Sequence, residues 1–351
     1  MKVIFDCERM KYPFTGLFEY CHKLGNALQD TKETADVVGL YLRKGDQHFF
    51  KNTSLFINQN SLHKFIFPIL PANVNVWHAA HQTSWYIPPK SRKIKVVVTV
   101  HDLNFLHEEK SDTKRIKLLK KHQETIDKAD QIIAISDFTK QDILKHLKVD
   151  KPISVIYNGC DFEVYPNFDS PVYRPQKQFI FAIGTVIPKK NFHTLPCLLA
   201  GNELELVIAG KENSDYVKEI LDEAKKHGVE TRVHITGPIG KEDKYWYYKN
   251  CTAFAFPSLA EGFGIPVIEA MNFGKPVFLS TRTSLPEIGG EHAYYFENFE
   301  PAYMQNVFNK GMEHYLSTDS ADKIRAHAQK FSWEKCADAH WQLYKSLTGE
   351  S

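Results

Sequence analysis

What this chain lacks narrows its class before any motif is read. Its six cysteines, Cys7, Cys21, Cys160, Cys197, Cys251 and Cys336, are scattered without a C-x-x-C pair. That argues for free thiols in a reducing compartment and against a disulfide framework. No G-x-G-x-x-G run is present, so nothing points to a dinucleotide oxidoreductase. No D-x-D pair occurs either. No apolar run approaches the ~20 residues that a bilayer-spanning helix needs. Charge interrupts Met1 to Asp6 too early for a signal peptide. These absences predict a cytosolic protein, or one attached to a membrane only at its surface. Charge of one sign is also missing: a net charge of +2 gives no case for a nucleic-acid partner.

What is present is ordinary for a globular protein: 43% hydrophobic and 25% charged residues over 351 positions, enough for two cores. Apolar runs read as strands at Lys2–Phe5, Val37–Leu42, Val74–His78, Lys95–Val100, Asp130–Ser136 and Ile153–Tyr157. Further runs lie at Phe179–Gly184, Leu204–Gly210, Val233–Gly237, Ala253–Pro257 and Pro276–Ser280, and helical stretches alternate with them, as in an α/β chain. The segment from about 45 to 72 is mixed and aromatic and shows no pattern. A stretch at 169–178 carrying Pro171 and Pro175 reads as a linker.

The densest stretch is Ser258 to Gly274, S-L-A-E-G-F-G-I-P-V-I-E-A-M-N-F-G. A strand precedes it, Glu261-Gly262-Phe263-Gly264 forms a flexible loop, and Ile265-Pro266 opens a helix that Gly274 stops. Such a loop can bring backbone N–H groups to a ligand, and the helix N-terminus favours a phosphate. Glu261 and Glu269 stand about 12 Å apart if both are helical. That is too far to share one atom but suited to holding two ends of an extended ligand by its hydroxyls. The bland alternative makes Glu269 a helix-dipole partner and Glu261 a solvated loop residue. A second stretch, Gly184-Thr185-Val186-Ile187-Pro188-Lys189-Lys190-Asn191, places two lysines just after a strand, where a diphosphate would be met.

These motifs resemble those of retaining glycosyltransferases of family 4, strongly over 179–290 and weakly before residue 95. The resemblance implies the GT-B fold: an acceptor domain over 1–170, a nucleotide-sugar domain over 171–332, and a last helix, 333–351, crossing back to the first. It further implies that Glu261 and the Gly262-Phe263-Gly264 backbone, with Ile265 following, hold the donor sugar, and that Glu269 holds the ribose. Lys190, with Gly184 and Thr185 before it, would neutralise the leaving diphosphate. Lys189 stands where the family usually has arginine and loses the bidentate fork. Gly237, Pro238 and Ile239 would lie near the base, and Gly16, in the loop from Tyr12, near the donor.

His101, at the end of a buried strand, reads either as structural, tied to a neighbouring carbonyl, or, by the resemblance, as a group beside the donor sugar. The catalytic set implied is Lys190, Glu261 and His101. His78 and His81 lie three apart without a nearby Asp, Glu or Cys, so a cleft-lining loop is preferred to a metal site. Asn158-Gly159 reads as a turn of positive φ. Residues 110–122 form a basic amphipathic helix, either a solvated face or a contact for anionic lipid. The function implied is transfer of a hexose from a GDP- or UDP-linked sugar to a glycan or lipid-linked glycan, with retention and without cofactor or metal. The lysine motif resembles that of mannosyltransferases that build surface polysaccharides from GDP-mannose, which implies mannose as the sugar. Two rivals are a catalytically silent partner subunit and a nucleotide-sugar 2-epimerase, which would lack the E-G-F-G-I-P run.

Overall fold

The computed structural model describes residues 1–13, 15–53, 55–90, 93–108, 110–161 and 163–349. Phe14, in the loop ahead of Gly16, lies outside them. The chain divides into two compact units, Met1–Gly159 with Phe331–Ser351, and Cys160–Lys330.

The first unit is a parallel sheet in the order β3-β2-β1-β4-β5-β6-β7. Its strands are β1 (Lys2–Asp6), β2 (Val37–Leu42), β3 (Leu55–Asn58), β4 (Val76–Ala79), β5 (Lys95–Val100), β6 (Gln131–Ala134) and β7 (Ile153–Val155). The inner strands are apolar and buried on both faces, as a sheet covered by helices on each side requires. The helices are α1 (Gly16–Asp30), α2 (Asp112–Ile126) and α3 (Asp137–His146). Thr15 and Ser136 cap α1 and α3, each accepting from the amide three residues on. β3 emerges from the segment that shows no sequence pattern. It is a short, half-buried edge strand beside β2, so it needs neither a buried run nor strict alternation.

The second unit is also a parallel sheet, in the order β10-β9-β8-β11-β12-β13. The strands are β8 (Phe179–Ile183), β9 (Glu205–Ala209), β10 (Val233–Ile235), β11 (Ala253–Phe256), β12 (Val277–Ser280) and β13 (Tyr294–Phe296). Around it lie α4 (Ser214–Lys226), α5 (Lys241–Asn250), α6 (Ile265–Asn272), α7 (Leu285–Gly289), α8 (Pro301–Ser317) and α9 (Ser320–Ala328). This is the doubly wound order, which reverses between β8 and β11. The units divide at Cys160, before the stretch read as a linker. Residues 169–178 are instead tied down on this unit. The buried Glu205 carboxylate accepts from the amides of Gln176 (2.7 Å) and Lys177 (2.8 Å), Asp169 accepts from Trp246 Nε1, and Tyr247 Oη donates to Tyr173 O.

The last helix, α10 (Trp333–Thr348), belongs to the first unit and packs on α1, where Trp341 Nε1 donates to Leu28 O at 3.2 Å. Ser332 caps it. Tyr344 Oη lies 2.6 Å from His78 Nδ1, and His78 Nε2 lies 2.7 Å from Thr99 Oγ1. His78 is therefore a wholly buried member of this network, its pKa held low by burial, while His81 bonds locally to Thr83. They do not form a metal pair. Among the described residues no three His, Cys, Asp or Glu cluster as metal ligands would.

Gly159 is required for a reason other than turn geometry. Its φ is not in the left-handed region, but a Cβ there would fall 2.3 Å from the Trp333 amide nitrogen. Neither neighbour can yield, because the obstacle is backbone. Gly159→Ala should destabilise the first unit by roughly 1–3 kcal/mol. A urea titration followed by tryptophan fluorescence would show it, since Trp77, Trp85, Trp333 and Trp341 all lie in this unit.

Candidate active site

In a doubly wound sheet the crevice beyond the carboxyl ends of the strands opens where the strand order reverses. In the second unit that point lies between β8 and β11. The floor is bare backbone. Gly184, Gly210 and Gly237 end β8, β9 and the run after β10; Gly210 N donates to Gly237 O, and a Cβ on Gly210 would sit 1.9 Å from Gly184 O. Only glycine allows that approach, at φ of 148° and 147° for Gly184 and Gly210.

After Gly184 the exposed Thr185 leads to a tight turn, Pro188–Lys190, closed by Asn191 in the left-handed conformation at φ 59°. This turn sends the Lys190 side chain back over the glycine, with Cε 3.2 Å from where a Gly184 Cβ would stand. Lys190 Nζ then reaches Glu261 Oε1 at 2.5 Å and lies 4.8 Å from the centroid of the Phe256 ring. Both ionic side chains are about 85% removed from solvent, 14% and 15% exposed. The pair thus joins the loops that follow two neighbouring strands.

The Glu261 loop is held by hydroxyls on the segment after β12. Glu261 N donates to Thr283 Oγ1 (2.9 Å), and Ser284 Oγ donates to Glu261 O (3.1 Å) and Phe263 O (2.8 Å). Ser280 Oγ donates to Ser258 O, while Leu259 N donates to Lys189 O at 2.9 Å. Lys189 therefore anchors the loop through its carbonyl. Phe263 is buried, and Gly264, at φ 121°, turns the chain into α6. Ile265 is the first helical residue and Pro266 the second, where its missing N–H costs nothing.

Glu269 lies beyond the first turn of α6, so helix-dipole complementation is not its role. Instead Tyr248 Oη donates to Oε2 at 2.9 Å and Lys244 Nζ lies 2.5 Å from Oε1. Burial, then Glu269, pushes the Tyr248 phenol pKa up, so it remains a donor. Pro238 and Ile239, after β10, are exposed and half-buried.

Gly16 and His101 belong to the first unit and are not among these groups. Gly16 opens α1 with no heavy atom within 4 Å of a Cβ placed on it. His101 is buried, with Nε2 2.8 Å from Ala80 O, and its ring packs edge-on to Tyr20 with centroids 4.6 Å apart. Burial lowers its pKa to about 4, so the ring is neutral near pH 7. The carbonyl tie weighed from the sequence is present. The sequence reading did not identify Thr283, Ser284, Tyr248 and Lys244. A run of hydroxyls, Ser280-Thr281-Arg282-Thr283-Ser284, at the end of a strand was the available signal.

Residues 20–164 match the family model Glycosyltransferase Family 4, and 167–331 match Glycosyl transferases group 1. Together the two glycosyltransferase models span most of the chain, which resembles the family 4 glycosyltransferases. It is 24% identical to an Escherichia coli protein, O-antigen chain mannosyltransferase B, over 99% of its own length and all of that protein. It is 30% identical to the E. coli serotype-specific mannosyltransferase WbdA over 60% of this chain, which spans only 28% of WbdA. Sucrose-phosphate synthase from Thermosynechococcus elongatus superimposes with a TM-score of 0.76 at 17% identity, covering 100% of both chains. HepE of Anabaena, solved with UDP and glucose, superimposes at 0.72 and 19% identity, over 99% of this chain and 100% of that one. These two likenesses establish the GT-B fold.

For this enzyme, Lys190→Ala should cut turnover at least ~100-fold, the scale of one lost donor to developing negative charge. Ser284→Ala, which frees the Glu261 loop without touching either charged group, should cost about tenfold, the worth of roughly one hydrogen bond. Steady-state transfer assays on both variants would check the order; equal turnover for wild type and Lys190→Ala would contradict the site.

Proposed function

We propose that the enzyme moves mannose from a GDP-linked donor to a hydroxyl of a growing glycan or lipid-linked glycan, with retention and without a metal. The Lys190–Glu261 pair at the strand reversal carries this reading. An ion pair held mostly out of water offers a cation and an acceptor side by side. A nucleotide sugar would take both: its diphosphate meets Lys190, with Lys189 beside it, and a sugar hydroxyl donates to Glu261. Glu269, oriented by Tyr248 and Lys244, would accept from the ribose, and Gly237, Pro238 and Ile239 would border the base.

As the C1–oxygen bond to the diphosphate breaks, negative charge grows on the leaving phosphate, and Lys190 stabilises it more in the transition state than before. The acceptor oxygen bonds to C1 on the same face, and its proton passes to that phosphate. The mannosyl choice rests on the names of the E. coli relatives; both name mannosyltransferases. Contact with an anionic membrane through residues 110–122 belongs to the same proposal. Lys114, Lys117 and Lys120 of α2 are exposed, as is Ile116, whereas Leu118 and Leu119 turn onto the core, so the helix offers charge with a single apolar side chain.

A thermal-shift comparison of GDP, UDP and ADP tests the donor. GDP at about 100 times its dissociation constant should add ~2.7 kcal/mol, and stronger stabilisation by UDP would overturn the nucleotide. The anomeric configuration of the product, read by NMR, should match that of the donor. Turnover should persist in EDTA; loss restored by a divalent cation would refute metal independence.

A further inference from the structure

Among the described residues of the first unit, the segment without a sequence pattern carries the most exposed apolar side chains: Phe65 is 87% exposed, Ile66 75% and Ile69 94%. Large apolar groups concentrated this way mark an interaction surface. The segment is built, not loose. Asn60 Oδ1 accepts from Leu62 N at 2.9 Å, His63 Nδ1 lies 3.0 Å from Tyr41 Oη, and Phe67 and Leu70 pack onto the core. His63, Phe67 and Leu70 thus anchor it while Phe65, Ile66 and Ile69 face solvent. Beside it stands Trp85, 60% exposed, with Lys64 Nζ 6.0 Å and Lys121 Nζ 5.1 Å from its indole ring.

We propose that Phe65, Ile66, Ile69 and Trp85, rimmed by Lys64 and Lys121, form the face by which the first unit inserts shallowly into an anionic lipid surface. Apolar side chains enter the headgroup boundary, an indole sits at that depth, and lysines on flexible stems reach lipid phosphates. A second copy of the chain fits worse. A two-fold interface would set this face against itself and bring Lys64 and Lys121 toward their own images, with α2 adding Lys114, Lys117 and Lys120. The inference rests on the membrane contact proposed for α2 and supplies its apolar half.

The test is co-sedimentation of the full chain with vesicles of phosphatidylcholine, with and without phosphatidylglycerol. The wild type should bind the anionic vesicles, and less at high salt. The triple variant Phe65→Ser, Ile66→Ser, Ile69→Ser should lose at least about tenfold in partitioning. Lys64→Glu with Lys121→Glu should lose about thirty-fold, two lysines at the usual worth of each. Both should keep the melting temperature and the turnover of a soluble acceptor. Unchanged partitioning of the triple variant, no binding by the wild type, or a wild-type dimer that the triple variant dissolves would overturn the proposal. Unaltered binding by Lys114→Glu, Lys117→Glu, Lys120→Glu, with loss in the Phe65 triple, would remove the contact through those three lysines and leave this face, with Lys121, standing. Failure of all proteins to turn over donor, with vesicle binding intact, would strike the transferase reading alone.

Discussion

The contact on which the site depends is the ion pair between Lys190 and Glu261. It spans the gap between the first loops beyond β8 and β11, the two strands at which the sheet reverses direction. Opposite charges this far from water must hold each other. Each loop is accordingly shaped to present its member: a left-handed Asn191 behind one, three hydroxyl side chains beneath the other. The loops also brace one another, because the Lys189 carbonyl receives Leu259 N and Ser258 Oγ. The lysine motif and the glutamate motif therefore make one structural object.

Around that object, strand ends of the second unit run into glycines. The glycine ends of β8, β9 and the run after β10 stack backbone on backbone. A ligand approaching there would meet peptide groups and a cation, which suits a phosphate better than an apolar ring. Glu269 serves a separate cluster, where a buried phenol and Lys244 fix the direction of its two oxygens.

The first unit is assembled around a different kind of constraint. At the reversal between β1 and β4, Asp6 is buried and burial raises its carboxyl pKa to about 7, although Ser84 Oγ and the Glu8 amide both donate to it. Arg9 nearby bonds to Thr83 Oγ1 at 2.6 Å. These groups tie the loop after β1 to the loop after β4. α10 completes the core only because Gly159 has no side chain to obstruct it.

Sequence alone determined the alternation of strands and helices and the two loop motifs after β8 and β11, since all of these are local: burial runs and glycine positions repeat at short spacing. It also carried the resemblance to the family 4 glycosyltransferases. β3 and β13 escaped because short edge strands carry no buried run, and 169–178 looked like a linker because its anchors, Glu205 and Tyr247, lie far along the chain. Tertiary structure decided which carboxylate meets which lysine, why Gly159 is glycine, and that Phe65, Ile66 and Ile69 face outward while Phe67 and Leu70 face in. Partners separated by dozens of residues leave no periodic trace, and only the packed fold brings them within bonding distance.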